Sequence, residues 1–95
     1  MKNAYPIIIT PNQDGYVVYI PDFDANTEGG TVEEAMEMVR DAIGLLGIDY
    51  EDEGKELPQP SEAASIHVAE GDLMAIVDID FAEYRSRHAE TKKDD

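Results

Sequence analysis

The chain has 95 residues, with 22 Asp and Glu against 7 Lys and Arg, a formal charge of −15 and a pI near 4.1. That length suits one domain, and 42% apolar residues suffice to fill one core despite the charge. The absence of cysteine removes disulfides, thiol catalysis and Cys-built metal centres. The acidic balance argues against binding nucleic acid or anionic membranes, and no apolar run approaches a membrane span. Met1-Lys2-Asn3-Ala4 has no signal-peptide apolar region, so a soluble cytoplasmic domain is the expectation. Residues 1–84 carry 19 acids against only Lys2, Arg40 and Lys55, whereas the segment from Arg85 is nearly balanced and reads as a frayed polar tail.

Tyr5–Thr10 and Gly15–Ile20 are β-branched runs separated by Pro11-Asn12-Gln13-Asp14-Gly15, a hairpin signature. Ile7 and Ile9 share one face, as do Val17 and Tyr19, and Pro21 ends the second strand. Residues 22–30 read as a loop on propensity alone, with Phe23 available to plug the core. Thr31 and Glu34 form a capping box, and apolar residues at 32, 35, 39, 42/43, 46 and 50 have helical spacing. The spacing predicts a helix over 32–53, with Gly54 terminating it. Leu57–Ser61 is an extended connector; 65–68 and 73–79 then predict a second hairpin about Glu70-Gly71-Asp72. Asp80 caps a short helix over 81–88 that buries Phe81 and Tyr84. The order β-β-(β)-α-β-β-α is an α+β fold, a small antiparallel sheet covered by one main helix.

Carboxylates are the abundant reactive groups. Asp22, Asp24 and Glu28 follow the second strand, and Asp78 and Asp80 close the last one. Such oxygens could converge on Mg²⁺ or Mn²⁺ for phosphoryl hydrolysis, but in so acidic a chain a solvated rim explains them more simply. No calcium-loop spacing is present. His67 and His88 have no sequence-encoded partner for general-base chemistry, and Gly29-Gly30-Thr31 lacks the Lys of a phosphate loop. No cofactor, metal or catalytic residue is therefore assigned. An acidic protein can instead dock on a basic one and block its polyanionic ligand.

In order and spacing, Tyr5-Pro6-Ile7, Asp14-Gly15-Tyr16, Ile20-Pro21-Asp22, Gly30-Thr31-Val32-Glu33-Glu34-Ala35, Gly54, Pro58-Gln59-Pro60-Ser61 and Val77-Asp78-Ile79-Asp80-Phe81 with Tyr84-Arg85 resemble the HicB family. HicB proteins are the antitoxins of HicA–HicB toxin–antitoxin systems. The resemblance implies a partial ribonuclease-H-like fold over residues 1–87, with 24–29 as a short third strand and 88–95 as a flexible polar tail. It implies a partner, a small basic mRNA-cleaving ribonuclease of the HicA type, whose RNA-binding surface the antitoxin masks. Asp22, Asp24 and Glu28 are the first contact acids on this reading, and Asp78 and Asp80 the next. Self-association as a dimer or tetramer is also expected, because a small sheet leaves an edge or face open.

Two departures accompany the resemblance. Many relatives carry Pro-Gly-Cys after the Pro-Asp pair, where this chain has Phe23-Asp24-Ala25-Asn26. Many also continue into an operator-binding domain, whereas this chain stops at Asp95, so direct DNA binding is not expected of it. Ribonuclease H chemistry needs a first-strand carboxylate, and residues 5–10 contain none, which makes the fold a binding scaffold rather than an enzyme. Two other readings stay open: a HicB-like regulatory domain with a different partner, and a metal-dependent nuclease.

Overall fold

The computed structural model describes residues 2–92, with side chains over 3–87. Its elements are β1 (Lys2–Asn12), β2 (Gly15–Ile20), β3 (Ala25–Gly29), α1 (Val32–Asp52), β4 (Leu73–Asp80) and α2 (Phe81–Lys92). The strands form one antiparallel sheet in the order β3-β2-β1-β4. The first hairpin is longer than its turn residues suggest. Pro11 and Asn12 stay paired with Tyr16 and Gly15, leaving Gln13-Asp14 as the turn, where the Asn12 Oδ1 accepts the Asp14 N–H at 2.9 Å.

Alternation along the strands separates two faces. Tyr5, Ile7 and Ile9 of β1, Val18 and Ile20 of β2, and Val77 and Ile79 of β4 are buried on the face that α1 covers with Ala35, Val39 and Ile43. Val17 and Tyr19 lie on the other face with Ile8, Met74 and Ile76. Residues 25–29 are a strand despite weak propensity. Their pairing with Tyr16–Ile20 supplies the ladder, and Phe23 packs edge-on to Tyr5 at 5.0 Å and to Tyr50 at 5.9 Å.

The helix matches its sequence signals closely. Thr31 Oγ1 accepts the Glu34 N–H at 3.1 Å, while the Glu34 carboxylate reaches back to the Gly30 N–H at 2.7 Å, one residue before the usual capping-box donor. Gly54 at φ +72° closes the C-terminus, its N–H donating to Glu51 O at 3.0 Å and that of Lys55 to Tyr50 O at 2.8 Å. Gly44 and Gly47, weak points for an isolated helix, are the seats on which α2 docks. A Cβ on Gly44 would meet the Tyr84 ring at 2.6 Å, and one on Gly47 the Phe81 ring at 2.3 Å.

Two expectations change. Residues 65–68 are not a strand: Ala63–Ser65 forms a 3-10 turn, and no ladder includes the segment. The backbone there is bonded locally instead, with the Ser65 N–H donating to Glu62 O at 2.9 Å and the Ile66 N–H to Ala63 O at 3.1 Å. The connector leaves α1 beside the start of β1, where Tyr5 Oη donates to Pro58 O at 2.8 Å and Asp22 holds Ser61. It must then travel to the far end of β1, because β4 starts with Leu73 opposite Ile9. Ile66 and Val68 are half-buried about an exposed His67, and the order becomes β-β-β-α-β-α. The last helix also runs to Lys92 rather than residue 88, taking in most of the segment read as a tail. Residues 93–95 and the His88 side chain lie outside what is described. Among the described residues no helix is long and apolar enough to cross a membrane.

Candidate functional site: an acidic recess beside the short sheet edge

The sheet order decides which carboxylates meet. Asp24 and Glu28 flank or occupy β3, one edge, whereas Asp78 and Asp80 lie on β4, the opposite edge, with two strands between them. The two groups of acids therefore do not converge. Among the described residues no three His, Asp or Glu side chains are placed to hold a metal ion.

Each acid has its own setting. Asp22, half-buried in the 3-10 turn after β2, accepts the Ser61 N–H at 2.9 Å on Oδ2 and the Ser61 hydroxyl on Oδ1. This makes it a clamp on the connector. Its charge also adds to burial in pushing the Tyr5 hydroxyl above its usual pKa, against the opposing hydrogen bond from Asn3. Asp24 sits at φ +48° and accepts the Tyr19 hydroxyl at 2.8 Å, and that bond raises the tyrosine pKa. Glu28 is exposed on β3, opposite Val17. Asp78 is exposed on β4, and Asp80 caps α2 by accepting the Glu83 N–H at 3.1 Å. The acidic end of α1 is also partly used: Arg85 reaches Glu51 and Asp52, each at 3.1 Å, and fastens α2 to α1.

Around Glu28 the fold builds a recess of about 340 Å³ that residue-by-residue reading does not find. Its walls are Asn12 and Asp14 from the β1–β2 turn, Tyr16 from β2, Glu28 through Gly30 from β3, and Glu34 and Met38 from α1. Three carboxylates thus face an aromatic ring and a thioether, and no cation lines the space. Gly29 makes the arrangement possible, because a Cβ there would stand 2.4 Å from the Ala35 backbone nitrogen. Only a side-chain-free residue lets β3 approach the first turn of α1 so closely. Asp14 reads in sequence as turn chemistry and Glu34 as a cap. Their adjacency depends on the helix docking against the hairpin, for which no local signal exists.

Chemically, such a recess suits a guanidinium or ammonium group. Carboxylates accept its hydrogen bonds, the tyrosine face attracts the charge, and methionine adapts to an alkyl stem. A second recess of about 210 Å³ at the other edge mixes Asp78, Asp80 and Glu83 with Arg40 and Arg87, so it lacks this single-sign character.

Residues 5–92 match the family model described as the HicB_like antitoxin of bacterial toxin-antitoxin systems. "Antitoxin HicB 1" of Photorhabdus laumondii is 35% identical over 71 residues, covering 72% of this chain and 46% of that protein. "Antitoxin HicB" of Escherichia coli K12 is 45% identical over 60 residues, covering 60% of this chain and 43% of the relative. The chain thus spans less than half the length of these relatives. A chain of the "Toxin-Antitoxin complex from Streptococcus pneumoniae" superposes with a TM-score of 0.78 at 26% identity, over 88% of this chain and 73% of the other. A chain of the "HicA3 and HicB3 toxin-antitoxin complex" gives 0.67 at 26% identity, over 81% and 98%. With its cap, its short third strand and its closing strand-to-helix junction in the places the motifs indicate, the chain belongs to the family of HicB-like antitoxins.

Proposed function

We propose that this chain is the toxin-binding part of an antitoxin, and that it neutralises a small basic mRNA-cleaving ribonuclease of the HicA type by covering its RNA-binding surface. The observation that carries this reading is the recess beside β3, where Asp14, Glu28 and Glu34 surround a space bounded by Tyr16 and Met38. A toxin that binds RNA through Lys and Arg presents the groups this recess accepts, and the protein's carboxylates then stand in for phosphates. Asp14, Glu28 and Glu34 are the contact acids on this reading, and Asp24 lies at the opposite end of β3 from them. Asp22 and Asp80 hold the connector and α2. The chain acts by binding rather than catalysis, in the cytoplasm, without a cofactor and without touching nucleic acid itself.

The strand order β3-β2-β1-β4, with a helix following β3, supports a partial ribonuclease-H-like fold. Residues 1–87 are the toxin-binding unit, and the chain self-associates. The test of the toxin reading is calorimetric titration of the chain into the HicA-type ribonuclease of the same genome, paired with growth rescue on co-expression. Tight binding that weakens steeply with added salt is expected. Absence of both binding and rescue overturns the reading, and Mg²⁺-stimulated RNA cleavage by the chain alone would replace it with a nuclease.

A further inference from the structure

The recess beside β3 differs from the rest of the acidic surface in its countercharge and in its walls. Among the described residues Glu51, Asp52, Glu53 and Glu83 each have an arginine or lysine as ion-pair partner, whereas no such pair includes Asp14, Glu28 or Glu34. The chain thus gathers carboxylates from the hairpin turn, β3 and α1 around one space and lines it with no cation. Glycine clears that space. A Cβ on Gly15 would stand 2.4 Å from the Gly29 carbonyl oxygen, and one on Gly29 would stand 2.7 Å from the Ala35 Cα, so three backbone segments meet there with no side chain between them. Tyr16 lines the recess and also packs against the buried cluster, so the core holds its ring in place. Met38 on the same wall is 44% exposed, an apolar side chain left at the surface beside the acids.

We infer that this recess takes the guanidinium of one arginine side chain of the partner, in preference to a lysine ammonium. The inference rests on the toxin reading for who the partner is, while the selectivity belongs to the recess. An ammonium is a compact, strongly hydrated point charge; it gains from carboxylates but little from a ring and a thioether. A guanidinium is planar and weakly hydrated. Its N–H edge pairs with carboxylates, its flat face lies on an aromatic ring, and methionine follows the alkyl stem. Glu34 can take part without releasing the helix, because its bond to the Gly30 N–H engages Oε1 and leaves Oε2 for a ligand. Like charges held together repel. Neutralising one of them therefore steadies the free chain and at the same time weakens its hold on the cation, a pairing of effects that a purely structural carboxylate would not show.

The experiment titrates the full chain with N-acetyl-arginine amide and, separately, N-acetyl-lysine amide, following the amide NMR shifts of Gly29 and Gly30, with a melting curve for each variant. The arginine amide is expected to bind about threefold more tightly than the lysine amide, as a cation over an exposed ring allows. Tyr16→Leu should abolish that preference while both probes still bind, and Tyr16→Phe should keep it. Glu28→Gln should weaken both probes about threefold and raise the melting temperature, whereas Asp78→Asn should leave the affinities unchanged. Equal affinities for the two probes overturn the inference, as does the absence of saturable shifts at Gly29 and Gly30 with either. Binding of the ribonuclease is scored apart. A chain that prefers arginine but binds no HicA-type ribonuclease overturns the toxin reading and keeps the recess assignment; one that binds the ribonuclease without preferring arginine overturns the inference alone.

Discussion

The two edges of one sheet have opposite characters. β3 is five residues long, begins after a left-handed Asp24, ends at Gly29-Gly30 and adjoins the carboxylate-lined recess. β4 is eight residues long, regular, and apolar through its centre. Each has one side without a strand partner in the described sheet, so position in the sheet alone does not distinguish them. Length and side chains do. A short acidic edge resists further strands and attracts cations, whereas a long apolar edge invites a strand. The difference shows how net charge can mislead when it is treated as uniform: −15 over the chain coexists with a long edge strand that is apolar through its centre.

The most severe way to break the contrast is Gly29→Ala. Its Cβ would press on the Ala35 backbone, and neither segment can yield as a flexible side chain would. We expect a loss of about 3 kcal/mol in denaturant unfolding, at the top of the range for overpacking, with the recess reshaped. Asp22→Ala follows. It strips the Ser61 N–H and hydroxyl of their acceptor and loosens the connector that leads to β4. A cost of about 2 kcal/mol by the same measurement is expected. Next comes the direct comparison of the edges. Glu28→Lys should weaken toxin binding about tenfold at low salt, chiefly through the association rate, whereas Asp78→Lys should change it less than about twofold. Equal effects in surface plasmon resonance would mean that total charge, not its placement, drives recognition.

The smallest effect concerns α2, which packs against α1 next to β4. Burial, then the hydrogen bond to Asp41, pushes the Tyr84 hydroxyl from 10.0 up to about 12. The folded state therefore keeps this proton after the unfolded chain has lost it. Its stabilising contribution is present below pH 10 and is lost as pH rises through about 12. Melting curves over that window should fall for wild type and fall less steeply for Tyr84→Phe. A residual decline is expected, since the Tyr5 and Tyr19 hydroxyls are raised as well.

Much of the fold was legible in the residues because its signals are local. The Thr31–Glu34 cap, the 3.6-residue spacing and Gly54 located α1 to within a residue, and alternation located the buried side of β1. The third strand was not legible on propensity, since Ala25-Asn26-Thr27-Glu28-Gly29 becomes a strand only through its ladder to β2. The same physics misled at 65–68, where the pattern suits a strand but local 3-10 hydrogen bonds take up the Ser65 and Ile66 N–H groups and no ladder to β4 forms. Of the acids singled out in the sequence, Glu28 lines the recess, while Asp22 binds Ser61 and Asp24 binds Tyr19. Asp14, Tyr16, Glu34 and Met38 were missed because each already had a local explanation or none.

By itself the sequence determined the charge, the helix with both its ends, the hairpin and the ordered motifs that mark the family, all of which depend on neighbours within a few residues. Tertiary structure decided which carboxylates gather and which are separated. The order β3-β2-β1-β4 sends Glu28 and Asp78 to opposite edges, and the close approach allowed by Gly29 brings Glu34 to Glu28. Such adjacency follows from the packing of distant segments against one core, and no local property of the chain encodes it.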